Sequence, residues 1–257
     1  MAKIISVHSY KGGTGKTLIS VNLAEKLSND KKVLLVETDF LMPCFFYIFP
    51  HVQAKKYYND FYSNNQVPLE QCIYQTKNSY LDIIFSSPVY DAHDKMFTVD
   101  QKWHINRLRT FSQAIENLNK NYDYVFLDTP SGRNFVAISN LFLSDLAIVV
   151  SRGSDYSIIG TKLLLEEVYD KTKPDTLLPT FIIFNQIPSP ETKIMQEKLH
   201  SWYKELKEKN GIRKNFVIPL LMETAMNTAL GKVILENDDP FLNHINEISK
   251  EILELLH

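Results

Sequence analysis

With 257 residues, 44% of them hydrophobic and 23% charged, the chain has room for one large core and too little for two comfortable ones. A formal net charge of -2 excludes a strong overall pull toward nucleic acid or anionic lipid, so any such binding must be local. Cys44 and Cys72 form neither a disulfide framework nor a metal-type spacing, no run of apolar residues is long enough to span a bilayer, and no leader pattern precedes the first strand, so a cytoplasmic protein is expected.

The first strand candidate, Ile4 to Val7, leads into Lys11-Gly12-Gly13-Thr14-Gly15-Lys16-Thr17, and an amphipathic run follows from Leu18 to Leu27. A strand that ends in a glycine-rich turn before a helix points amide N–H groups and the helix's positive end at one place, where Lys16 adds an ammonium and Thr17 a hydroxyl. Gly12 to Leu18 therefore form a candidate cradle for a nucleotide polyphosphate with Mg²⁺. The ordinary P-loop has glycine where this chain has Tyr10, and it makes no demand at Lys11.

Val33 to Val36 is a second strand candidate and runs into Glu37-Thr38-Asp39. Next come Tyr57, Tyr58, Phe61 and Tyr62, whose three- and four-residue spacing suits a core-facing helical stripe, then a strand at Leu81 to Phe85 and a helix at Ile105 to Leu118. Tyr124 to Leu127 runs into Asp128-Thr129-Pro130-Ser131-Gly132. A lone Asp after a strand more often caps the next helix, but here two strand ends place acids on the rim that carries the cradle. Magnesium takes one or two carboxylates beside phosphate oxygens and waters, which makes Asp128 the Walker B candidate.

Further strands are expected at Leu146 to Val150, Phe181 to Phe184 and Phe216 to Ile218, and helices at Lys162 to Tyr169 and Glu191 to Lys209. The alternation predicts an α/β fold, a mostly parallel twisted sheet with helices on both faces, forming a single domain over 1–257 with ligand at the carboxyl ends of the strands. Asn185 ends one strand with an amide that can pair with both donor and acceptor edges of a purine. Between Glu191 and Lys214 a modest excess of lysine and arginine is interleaved with glutamates, which favours a solvated helix face over contact with DNA. The last segment, Phe241 to Leu256, has an apolar stripe, but its polar face carries Glu247, Glu251 and Glu254 against Lys250, so it reads as core packing rather than a membrane anchor. No histidine constellation supports a nucleophilic triad.

The run from Lys11 to Thr17 closely resembles the deviant Walker A of the ParA/MinD family of ATPases. That resemblance implies that Lys11 is the signature lysine that reaches a partner subunit's phosphates, and that Asp39 is the second acid of an Asp-x-Asp pair that positions the attacking water. Glu37 stands where the family has the first Asp, one methylene longer. Gly132 falls in the family's second switch, where a backbone amide senses the γ-phosphate. Asn185 corresponds to an adenine-contacting position, and Phe216 to Pro219 with Glu223 to Gly231 resembles the last strand, loop and helix beside the nucleotide. The metal would lie against Thr17, Asp39 and Asp128.

The expected activity is then slow, partner-stimulated hydrolysis of ATP with Mg²⁺ by a homodimer that sandwiches two nucleotides, in partitioning or positioning DNA or a cellular complex. Two alternatives stand beside it. A metallocentre-maturation ATPase would need cysteines beyond the second switch, and none follows Cys72. A nucleotide-dependent adaptor would bind ATP with little turnover, and Glu37 is the residue that would mark it.

Overall fold

The computed structural model describes residues 1–63, 67–89, 101–118, 120–169, 177–207, 212–236 and 238–257. In chain order the elements are β1 (Lys3–His8), α1 (Lys16–Leu27), β2 (Val33–Glu37), the short helices α2 (Phe45–Ile48) and α3 (Tyr58–Ser63), β3 (Ile73–Gln75), β4 (Leu81–Ile84) and α4 (Gln101–Leu118). They continue with β5 (Tyr124–Asp128), α5 (Phe135–Leu143), β6 (Leu146–Arg152), α6 (Asp155–Leu164), a π-helical turn over Leu165–Tyr169, β7 (Thr180–Ile187), α7 (Lys193–Lys207), β8 (Ile212–Pro219), α8 (Met222–Ala229) and α9 (Phe241–Leu256).

The strands form one sheet in the order β3-β4-β2-β5-β1-β6-β7-β8, parallel throughout except for β3, which pairs antiparallel with β4. Side chains on a strand alternate between faces, and the central strands are apolar on both. Val33 and Leu35 of β2, Tyr124 and Phe126 of β5, and Leu146, Ile148 and Val150 of β6 join a core beneath α1 and α9. Leu34, Val36, Val125 and Leu127 face a second core with Phe111 and Ile115 of α4. Ala147 and Val149 face a third, built with α6, the π-turn and α7. This is the three-layer α/β arrangement expected from the alternation of apolar runs.

Helix α9 packs on α1 through Phe241, Ile245, Ile248 and Ile252, all buried, which agrees with the core-packing reading of its stripe. No helix of the described residues is long and apolar enough to cross a membrane. Tyr58, Phe61 and Tyr62 are buried together with Phe40 and Phe111, while Tyr57 turns toward the core under α1. Helix α6 begins earlier than expected because Ser154 caps it, its Oγ accepting from Ser157 N–H. The segment Lys162 to Tyr169 is therefore the end of α6 plus the π-turn.

Two elements carry no clear periodic signal. Strand β3 has three residues at the sheet edge, and α5 is apolar on nearly every side (FVAISNLFL), with Val136, Ala137 and Leu141 buried and Phe135 and Phe142 partly exposed.

Candidate functional site

Strand β1 lies in the middle of the sheet, and the chain leaves its carboxyl end into the glycine-rich loop. Gly13 and Gly15 adopt left-handed backbone with φ +72° and +91°, a region in which a Cβ is strained, and Gly15 is the N-cap of α1. A Cβ on Gly15 would also lie 2.4 Å from Nδ2 of Asn185. That same nitrogen donates to the Thr14 carbonyl at 2.8 Å, so Asn185 latches the end of β7 onto the loop. Thr14 is buried, and its Oγ1 has no hydrogen-bond partner among the described residues.

Asp128 ends β5 beneath the loop. Its Oδ2 accepts from Thr17 Oγ1 at 2.8 Å and its Oδ1 from Ser20 Oγ at 2.8 Å. Burial raises the Asp128 carboxyl above its ordinary value, opposed by the nearby Lys16 ammonium and the two hydroxyls. Ser20 belongs to no sequence motif; its one signal is its position three residues beyond Thr17 on one helix face. Thr38 Oγ1 donates to the Asp128 carbonyl and Thr129 Oγ1 to the Val7 carbonyl, which binds the ends of β2, β5 and β1 together.

The two acids after β2 do different things. Glu37 is fully buried, and its carboxylate accepts from the backbone N–H groups of Cys44, Phe45 and Ser86. Burial pushes its pKa up to about 8, against the pull of those three amides, and the Asp128 charge adds to the rise. Glu37 thus holds the loop between β2 and α2 in place. Asp39 is at the surface of that loop, where Oδ1 accepts from Leu41 N–H at 3.2 Å and Met42 N–H at 3.1 Å, a turn-capping arrangement.

Gly132 has φ +83°; its N–H donates to the Ser9 carbonyl at 2.9 Å, and its own carbonyl accepts from the His8 ring at 2.8 Å. Tyr10, which replaces the usual P-loop glycine, lays its ring on Gly160 of α6, where a Cβ would come within 2.1 Å of it.

A pocket of about 140 Å³ brings together Leu18, Asn185 and Pro219 with Gln186, Leu221 and Thr224. Exposed Lys11 lines a neighbouring cleft of about 500 Å³ with Gly12, Thr14, Arg152, Tyr156 and Gln186. Gln186 faces both cavities from a left-handed backbone, φ 59°, which the sequence does not announce. Lys16, Thr17 and Asp128 therefore converge under the loop, Leu18, Asn185 and Pro219 line its flank, and Lys11 stands on its outer side.

The basic stretch behaves largely as a solvated helix face. Lys198 pairs with Asp155, Lys193 with Glu197 and Lys214 with Glu251, while Trp202 is buried and donates Nε1–H to Asp155 at 2.8 Å. Glu208 and Lys209 lie outside the described residues.

A parallel sheet with a central strand, a glycine loop at a helix N-terminus and a carboxylate on the next strand defines a P-loop nucleotide-binding protein. The AAA domain family matches residues 2–176 of the chain. The virulence plasmid ParA family protein pGP5-D of Chlamydia psittaci is 28% identical over 166 residues, covering 64% of this chain and 62% of that protein. The sporulation initiation inhibitor protein Soj of Bacillus subtilis is 28% identical over 179 residues, covering 65% of each chain. The chain thus spans just under two thirds of the length of these two relatives. An uncharacterized protein of Methanocaldococcus jannaschii is 30% identical over 207 residues, covering 76% of this chain and 77% of its own length.

Among solved structures, apo McdA of Cyanothece superposes with a TM-score of 0.80 at 18% identity, over 98% of this chain and 100% of that one. The septum site-determining protein MinD of Pyrococcus horikoshii, complexed with Mg-ADP, gives 0.76 at 20% identity over 98% and 96%. The chain belongs to the ParA/MinD family of P-loop ATPases, whose characterised members include partitioning and positioning proteins.

Proposed function

We propose that this protein is a Mg²⁺-dependent ATPase that forms a homodimer around two ATP molecules and uses hydrolysis as a timer in partitioning or positioning DNA or a cellular complex. The observation that carries this reading is the Lys16–Thr17–Asp128–Ser20 arrangement under a loop with two left-handed glycines. The residues fit the group: Thr17 can offer its oxygen to a cation while its hydroxyl proton points at Asp128, and the unpartnered Thr14 Oγ1 is a polar atom available to a polyphosphate. Thr17, Asp39 and Asp128 would hold Mg²⁺, which would supply charge that offsets the phosphoryl oxygens.

The chain's own groups would do the rest. Gly12 to Leu18 bind the phosphates, Lys16 balances their charge, and Leu18, Asn185 and Pro219 flank the base. Lys11, free at the surface, reaches toward the nucleotide of a second copy, and Asp39 orients water. Solved relatives support nucleotide and metal: MinD is complexed with Mg-ADP, a McdA variant with ATP, and a putative plasmid partition protein of Borrelia burgdorferi with AMPPNP. A hydrolysis-stimulating protein partner and a cytoplasmic setting belong to this reading. DNA binding is its weaker part, given the ion pairs along α7.

Sedimentation and ATP turnover measured together test it. A dimer that appears with ATP and Mg²⁺ and reverts on hydrolysis is the expected result, and a monomer that neither binds nor cleaves ATP refutes it.

A second reading, a nucleotide-dependent adaptor with little turnover, is favoured by one observation. Asp39 Oδ1 takes both the Leu41 and Met42 amides, which ties the carboxylate to its own turn and leaves it Oδ2 to offer a water. Single-turnover hydrolysis separates the two: bound ATP that persists for hours supports the adaptor.

A further inference from the structure

His8 is fully buried at the end of β1, one residue before the cradle loop begins to turn, and nothing in phosphate binding calls for an imidazole there. Its Nε2 lies 2.8 Å from the Gly132 carbonyl and its Nδ1 lies 3.3 Å from the Tyr169 hydroxyl. The carbonyl can only accept, so Nε2 carries the proton, and Nδ1 then accepts from the Tyr169 O–H. One neutral tautomer satisfies both contacts. Burial lowers the His8 pKa to about 4, which keeps the ring in that neutral form.

Tyr169 is the last residue of the π-turn, and its ring stacks on His8 with centroids 6.1 Å apart and planes 11° from parallel. A second tie runs outside the first: Arg133, next to Gly132, pairs with Glu167 of the same π-turn. Both side chains of that pair are about half exposed, so it is the weaker of the two links. Single π-turns interrupt α-helical hydrogen bonding and occur often at functional sites.

We infer that His8 is a positioning residue that couples the switch loop at Gly132 to the π-turn Leu165–Tyr169, so that the loop's response to nucleotide is passed to the end of α6. The inference rests on the ATP reading above. Gly132 N–H is held by the Ser9 carbonyl, so a γ-phosphate can take that amide only if Gly132 turns. Its carbonyl sits in the next peptide plane, joined through the same Cα, and is displaced when the residue moves as a unit. The His8 N–H must then follow the carbonyl or be left unpaired in the core, which is unfavourable. If the ring follows, Nδ1 leaves the Tyr169 hydroxyl and the π-turn loses the contact that fixes its last residue.

Amide hydrogen exchange, with and without a non-hydrolysable ATP analogue and Mg²⁺, reads this directly in the full chain. In the wild-type protein the analogue is expected to change exchange at residues 165–169 by about fivefold or more, in the range of ordinary coupling between sites. Tyr169→Phe keeps the ring and its stacking but removes the hydroxyl; it is expected to remove most of that response while analogue affinity stays within about twofold. Arg133→Gln, which leaves the core untouched, is expected to diminish the response partially. A purely structural hydroxyl would lower the melting temperature of Tyr169→Phe and leave the nucleotide-linked change in place.

The coupling is overturned if the wild-type chain binds the analogue with no change at 165–169, or if Tyr169→Phe responds as fully as wild type. Absence of analogue binding would remove the ATP reading, and this inference with it.

Discussion

The Asn185 side chain donates to the Thr14 carbonyl across 2.8 Å and fills the space beside Gly15 that a methyl group would need. The cradle is therefore shaped by a strand 170 positions away as much as by its own glycines.

Gly15→Ala is expected to weaken nucleotide binding by about tenfold or more, because it adds a strained left-handed residue and drives Asn185 off its carbonyl. Asn185→Ala should produce a milder loss. Titration of a fluorescent ATP analogue against both variants checks the order; equal affinity for wild type and Gly15→Ala would contradict it.

Gly160 leaves room for the Tyr10 ring. Gly160→Ala is predicted to destabilise the fold by about 1–3 kcal/mol through overpacking, despite the higher helix propensity of alanine. Tyr10→Gly, introduced together with it, should recover much of that loss. Urea denaturation of the single and double variants gives the comparison.

Lys11 is exposed and its side chain makes no described contact with the cradle, so Lys11→Ala should leave ATP affinity within about threefold while lowering hydrolysis by about a hundredfold and suppressing the dimer. Unchanged turnover in that variant would remove the trans role. Asp128→Asn, by contrast, replaces an acceptor of two hydroxyls with a group that carries a donor, and should abolish Mg²⁺-dependent turnover outright.

Two buried groups give stability a pH dependence of opposite sign. His8 falls from 6.5 to about 4 on folding, so its contribution is present above 6.5 and is lost as pH drops toward 4. Glu37 rises from 4.5 to about 8, so its contribution is full below 4.5 and is lost as pH climbs toward 8, and Asp128, also raised by burial, contributes a loss of the same sign as pH rises. The His8 and Glu37 slopes oppose each other up to 6.5, and above it His8 no longer offsets the loss from Glu37. Wild type should lose stability between pH 6.5 and 8, and Glu37→Gln should flatten that limb. Melting temperatures across the range test both statements; a flat wild-type profile there would contradict the assignment.

Much of this site can be read from the chain itself. The glycine loop, the apolar runs buried on two faces and the Asp128 strand end are local patterns, and each lies where its period and neighbours place it. What the pattern leaves silent depends on meetings between distant segments. The Tyr10 and Gly160 contact, the Gln186 backbone and the Asn185 latch each join segments that no window of twenty residues contains. Glu37 is a middle case. Its departure from Asp-x-Asp is visible in sequence, but its three amide partners come from β4's end and α2, so only the folded chain shows a brace rather than a water-facing acid. Helix α5 is silent for another reason: it is apolar on nearly every side, with Ser139 and Asn140 buried as well, so no period marks it.

Strand β1 has three strands on one side beyond β5 and two beyond β6, with β3 and β8 at the margins. Fraying from either margin must strip several hydrogen-bonded ladders before it reaches the rim where Lys16 and Asp128 meet. Exchange protection should accordingly fall off outward from β1, and the parts of the chain that grasp a ligand should be among the last to come apart when the protein is heated.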